Sequence, residues 1–178
     1  GNGLPISAIT GPTEFMKKFD DMWVSSTNNP ETLSMAGTKA VINEMKEKNT
    51  ISHCWEIGTK LFNNWNRITE ENNLNIKMIG YPIRMKIECK NSQDKISESL
   101  KALFLQEMVK KGIFFPPGQC FLSYSHSDDD INHTLQKLEQ SCQEIKNKVK
   151  DDDYQAHLEG IPPQIIWTMK MKSTKKIK

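Results

Sequence analysis

Two segments of the chain carry residues whose types and spacing suit chemistry. The first is Ser25-Ser26-Thr27-Asn28-Asn29-Pro30-Glu31, hydroxyls and free backbone amides set just ahead of a predicted helix. Backbone N–H groups at a helix start attract anions, so the loop suits a phosphate; an ordinary N-capping loop is the plainer reading of the same residues. The second is Ser125-His126-Ser127-Asp128-Asp129-Asp130 with His133 close behind. A Ser/His/Asp relay is rejected there, because a triad converges from separate elements and needs an oxyanion site and a nucleophile elbow. A metal site is rejected too. His126 and His133 stand two helical turns apart, about 10 Å, too far to share one ion. His53 and His157 stand alone, and Gly1-Asn2-Gly3 is too short for a nucleotide-binding fingerprint.

The elements that position these residues follow from periodicity. The opening Gly1 to Gly11 is predicted as a turn feeding a short buried strand, with its pairing partner upstream. The chain has no initiator Met and is expected to be the downstream part of a longer protein. Thr13 to Phe19 reads as a short helix capped by Thr13. A longer helix follows from Glu31 to Glu47, where Ala36 and Gly37 permit close approach of another element. The next helix starts near Thr50, carries Trp55, Leu61, Trp65 and Ile68 at helical spacing, and ends at Asn72-Asn73. Pro82 to Cys89 alternates as a strand with one wet face. Asp94 to Lys111 is predicted helical with Gly112 as its stop. Ile113 to Phe115 and Cys120 to Tyr124 are predicted strands. Ser127 and Asp130 form a capping box opening the last helix, whose apolar stripe runs from Ile131 to Val149. Helix, strand, helix, strand, strand, helix describes a small α+β domain over residues 48–178, preceded by a segment, 1–47, that closes something larger.

Composition excludes several classes. The chain has 178 residues, 37% hydrophobic and 26% charged, as in an ordinary globular protein. No apolar run approaches a membrane span and no signal peptide is visible. The net charge of +2 conceals a mildly acidic body and a basic end, since Lys170 to Lys178 hold five lysines and no acid. That tail carries no interleaved aromatic residues and reads as a solvated terminus, so no nucleic-acid or membrane partner is expected. Cys54, Cys89, Cys120 and Cys142 form no metal or redox spacing and are expected as buried reduced thiols in a cytoplasmic protein.

Five segments, in order, resemble the downstream part of class III pyridoxal-phosphate aminotransferases, in the branch of glutamate-1-semialdehyde aminomutase. They are Gly1-Asn2-Gly3-Leu4-Pro5-Ile6 with Ser25-Ser26-Thr27 and Glu31-Thr32-Leu33-Ser34; Ile51-Ser52-His53-Cys54-Trp55-Glu56; Leu103-Phe104-Leu105-Gln106-Glu107-Met108; Leu122-Ser123-Tyr124-Ser125-His126; and Leu158-Glu159-Gly160-Ile161-Pro162. The resemblance implies an α/β fold: the end of a fold-type I large domain (1–47), then the small α+β C-terminal domain (48–178). It implies pyridoxal 5'-phosphate as cofactor and transamination of an amino acid, amine or semialdehyde through a lysine Schiff base. The family lysine lies just upstream of the Gly-Asn-Gly turn, so no catalytic residue is assigned here and the chain alone is expected to be inactive. Lys17 and Lys18 do not substitute for it. Thr27 matches the family threonine that binds the cofactor phosphate of the neighbouring subunit, with Ser26 beside it, which implies a homodimer and a small-molecule amino donor and acceptor. Pro116-Pro117-Gly118-Gln119-Cys120 lacks the acidic residue usual in the aminomutases, which leaves the substrate open between aminomutase and aminotransferase. The alternative function is a non-catalytic fragment, an interaction module that pairs with another subunit.

Overall fold

The computed structural model describes residues 2–25, 27–29, 31–116 and 118–160. Ser26, Pro30, Pro117, the apolar run at 165–167 and the lysine tail lie outside the described residues. The chain divides into two compact units, Gly1–His53 and Cys54–Lys178. The break falls in the first turn of a helix rather than in the turn at residues 48–49.

The first unit holds α1 (Thr13–Met16), a 3-10 turn at Lys17–Asp21 and α2 (Thr32–Glu47). Asn2 and Gly3 have φ of 47° and 99°, so the opening turn forms as expected. The strand predicted after it does not. Residues 5–12 have no regular structure and Ile9 is exposed. An extended segment without a hydrogen-bonded neighbour has no ladder to hold it. Thr13 is the first helical residue of α1 and not its cap; Pro12 occupies the N-cap position, with no side-chain bond. Gly37 meets its expected role: a Cβ there would come within 2.2 Å of the Leu4 side chain.

The second unit contains the core. Most of α3 (Thr50–Glu71) belongs to it, followed by β1 (Ile76–Tyr81), β2 (Arg84–Cys89), α4 (Glu98–Lys110), β3 (Gln119–Phe121) and α5 (Asp128–Lys148). The strands form one antiparallel sheet in the order β1-β2-β3. Ile76 faces Cys89 and Met78 faces Ile87 across β1 and β2, and Met85 faces Cys120 across β2 and β3. These six side chains are buried with Trp65, Leu100, Phe104, Leu138 and Ile145 of the helices. Helices therefore cover one sheet face, and the alternation of β2 is the expected one. Trp65 centres the core: its Nε1 donates to the Ile76 carbonyl at 3.0 Å, and its ring meets Phe104 and Phe115 edge-on.

Three elements differ from expectation. β1 was not legible, because Lys77 and Gly80 interrupt its apolar residues. Ile113 to Phe115 is not a strand; its backbone pairs with no described strand and Phe114 is exposed. α4 starts at Glu98 and not at Asp94. Asp94 sits at φ 59° in a turn that Asn91 closes by accepting the Gln93 and Lys95 N–H groups, and Ser97 caps the helix. Ser127 and Asp130 do form the capping box of α5, and Gly112 ends α4 at φ 80°.

Candidate functional site

A polar recess of 350 Å³ lies beside the start of α2, bordered by Ser7, Asn28, Asn29, Glu31 and Ser34. The turn that carries Thr27, Asn28 and Asn29 is closed by Glu31 N–H donating to the Asn28 carbonyl at 3.2 Å. Thr27 is exposed in that turn, next to the two asparagines that line the recess. Ser26 lies outside the described residues.

Glu31 is the residue that sequence reasoning missed. Its carboxylate caps α2, accepting from Leu33 N–H at 3.1 Å and from Ser34 N–H at 2.5 Å. The Ser34 hydroxyl lies against the same carboxylate, and together with these amides it holds Glu31 below the usual carboxylate range. The hydroxyl makes no well-aligned hydrogen bond, although Ser34 is only 1% exposed. The signal was present in Glu31-Thr32-Leu33-Ser34, an acid directly ahead of a helical run, but glutamate is not a common N-cap type.

This arrangement decides how a phosphate fits. The first-turn amides of α2 at Leu33 and Ser34 are already taken by Glu31, so the helix end does not supply free donors. With the Ser34 hydroxyl lying against Glu31, the donors left at the recess are the Asn28 and Asn29 side chains and, next to them, Thr27. These neutral donors stand beside the Glu31 carboxylate, which also lines the recess. No lysine lines the recess among the described residues, so nothing at its wall forms a covalent bond with an aldehyde.

The second segment is structural. His126 Nδ1 accepts from the Ser123 N–H at 3.0 Å, which fixes the ring, and Asp130 accepts from Ser127 N–H at 2.8 Å. The backbone N–H and then the hydroxyl of Ser127 hold Asp130 below its usual range. Ser123, His126, Ser127 and Asp130 form local turn and cap contacts. Cys54 is half-buried, while Cys89, Cys120 and Cys142 are buried. Burial pushes the Cys89 and Cys142 thiols up to about 12, which leaves them unreactive. Among the described residues no helix is long and apolar enough to cross a membrane.

No protein-family model matches the chain. Individual relatives do. Glutamate-1-semialdehyde 2,1-aminomutase of Alkaliphilus oremlandii (strain OhILAs) is 27% identical over 161 residues, which is 83% of this chain and 37% of the relative. The same enzyme of Persephonella marina is 29% identical over 158 residues, covering 82% and 37%. The 3-aminobutyryl-CoA aminotransferase of Cloacimonas acidaminovorans is 22% identical over 147 residues, covering 82% and 36%. Among solved structures, the FumI protein of Sphingopyxis sp. MTA144 superposes with a TM-score of 0.66 at 17% identity, over 77% of this chain and 33% of that one. An omega-transaminase from Sphaerobacter thermophilus gives 0.62 at 14%, over 75% and 34%. The chain thus spans about a third of the length of the relatives it matches. In sequence and in fold, the chain is class III pyridoxal-phosphate aminotransferase-like, corresponding to an α/β part of these enzymes.

Proposed function

We propose that the chain is the C-terminal part of a pyridoxal-phosphate-dependent aminotransferase or aminomutase, with residues 1–47 ending the large domain and 48–178 forming the small one. The observation that carries this reading is the likeness in sequence and in fold to aminomutases and aminotransferases, beside which stands the recess at α2 next to the turn bearing Thr27. Thr27, with Ser26, binds the phosphate of the cofactor held by a neighbouring copy, so the working enzyme is a homodimer in the cytoplasm acting on a small amino donor and acceptor. When bound, pyridoxal phosphate supplies the electron sink for the reaction. This chain's own part is to seat the phosphate with neutral donors and to keep Glu31 turned onto the helix amides. The reacting amine comes from upstream, and the 178-residue chain alone has no transaminase activity.

The test extends the reading frame upstream of codon 1. Amino transfer by the extended product, none by the 178-residue chain, and a roughly tenfold weaker hold on pyridoxal phosphate in Thr27→Val of the extended product support the reading. A stop codon directly upstream, or a single dominant lysine trapped by borohydride in the 178-residue chain, overturns it.

One observation favours the alternative, a module that pairs with another subunit. The first unit leaves Trp23 92% exposed, with Leu33 and Met35 also in solvent. Co-purification of an unextended chain with a separate polypeptide distinguishes this case.

A further inference from the structure

The uncovered face of the sheet holds an arginine with no carboxylate. The chain has two arginines. Arg67 Nη1 donates to both carboxylate oxygens of Glu71, at 2.9 and 3.0 Å. Arg84 forms no ion pair among the described residues, yet its guanidinium is fixed. Its Nε donates to Gln119 Oε1 at 2.7 Å, and the group stacks 5.8 Å from the centre of the Phe121 ring. Register explains the placement, since Arg84 lies opposite Tyr81 on one side and Phe121 on the other. Lys86, two residues along on the same face, also has no ion pair among the described residues. The only acid on this face among the described strand residues, Glu88, lies 3.9 Å from Lys90. The face is therefore net cationic. An arginine whose Nε is already engaged and whose plane is stacked is pre-set to receive an oxyanion on its remaining N–H groups.

The two residues that hold Arg84 also border a recess of 340 Å³. It is also lined by Phe114, Phe115, Leu122 and Ile131, by Met85 and Cys120 from the covered side of the sheet, and by His126 and the carboxylate of Asp130. That volume suits the body of a small organic molecule. Arg84 itself does not line the recess; Gln119 and Phe121, which touch both, link its guanidinium to a mainly apolar cavity.

We propose that Arg84, Gln119 and Phe121 form a binding site for a small organic carboxylate whose apolar or aromatic body enters the Phe114–Phe121 recess. The site is read from this chain alone and needs neither the cofactor nor the aminotransferase reading. Its occupant is anionic because the face offers two uncompensated cations. It is amphipathic because the cavity beside them is walled mainly by apolar side chains.

The test is calorimetry on the 178-residue chain, with backbone amide shifts at Arg84 and Phe121 as the reporter of place. The probe is 3-phenylpropanoate, compared with 3-phenylpropanamide, which lacks the charge, and acetate, which lacks the body. Saturable binding of the first, with each comparator about tenfold weaker or more, is expected. Arg84→Gln abolishes binding, Arg84→Lys weakens it, and both keep the wild-type melting temperature because the residue is exposed. Equal binding of the amide removes the charge reading, and equal binding of acetate removes the cavity. Either result, unchanged affinity in Arg84→Gln, or no saturation below about 10 mM, overturns the proposal. Because no cofactor is present, these outcomes are independent of whether the extended product transaminates.

Discussion

Glu107 is a carboxylate only 2% exposed, on α4, and it is kept ionised by its neighbours. Burial works to raise its pKa; hydrogen bonds from Lys110 at 3.1 Å and Gln106 at 3.3 Å outweigh it and bring the group down to about 2. Lys148 of α5 stands 3.6 Å away, and Glu144 bridges Lys111 and Lys148, so the group ties α4 to α5. Lys110 also bonds Glu159 at 2.5 Å, and Gln106 holds the His157 carbonyl and the Glu159 N–H, which fastens the segment after α5 onto α4. A carboxylate depressed on folding adds stability above its unfolded pKa and loses it as pH falls through the folded value. The contribution of Glu107 is therefore full above about pH 4.5 and fades toward pH 2. Glu107→Gln is expected to cost about 2–3 kcal/mol at pH 7, because it leaves the lysines with less compensation. Denaturant titrations should show that difference shrinking below pH 4.5. A difference that stays constant down to pH 2.5 contradicts this account.

At the scale of elements, α3 and the β1–β2 hairpin meet at one glycine. A Cβ on Gly58 would lie 2.3 Å from the Pro82 carbonyl oxygen and 2.8 Å from its carbon, both backbone atoms of a two-residue turn. Gly58→Ala must push the hairpin off the helix, at about 2–3 kcal/mol by chemical denaturation. A loss under half that would mean the turn yields freely. The sequence places Gly58 between Trp55 and Leu61 of that helix but does not show what it touches, because β1 was not visible. Helices were legible where stripe and cap agreed: α5 has both a Ser127/Asp130 box and a regular apolar period, and its start was read correctly. The turn at Thr27, Asn28 and Asn29 was legible through its residue types. Glu31's role was not, since it depends on a side chain folding back on its own helix. Nor was the pairing of Arg84 with Gln119, which are 35 positions apart and joined only by the register of β2 with β3. Ile113-Phe114-Phe115 was misread because strand-forming residue types do not create a neighbouring strand.

At the scale of the whole molecule, the two units are built to different degrees. The buried apolar cluster, from Ile57 to Tyr154, lies entirely in the second. In the first, Ser34 is the buried residue among those described, and Phe15, Met22, Trp23, Leu33, Met35 and Ile42 are exposed. Secondary structure without apolar burial is held only by local hydrogen bonds, which opens cheaply. Hydrogen exchange should find the amides of α2 exchanging orders of magnitude faster than those of α4 and the central strand β2. Equal protection in α2 would show that the first unit is stable by itself. The matched part of this chain covers 37% of the relative from Alkaliphilus oremlandii, and the proposed reading assigns the cover for these side chains to the upstream part.

Trp23 and its neighbours then have a consequence for the life of the protein in a cell. Greasy residues left in water are what chaperones and degradative proteases recognise, so a copy that never finds its complement is marked for removal. On the proposed reading, the amount of this polypeptide that survives is set by how much complement is present, and the side chains that would close the assembly act as its quality check.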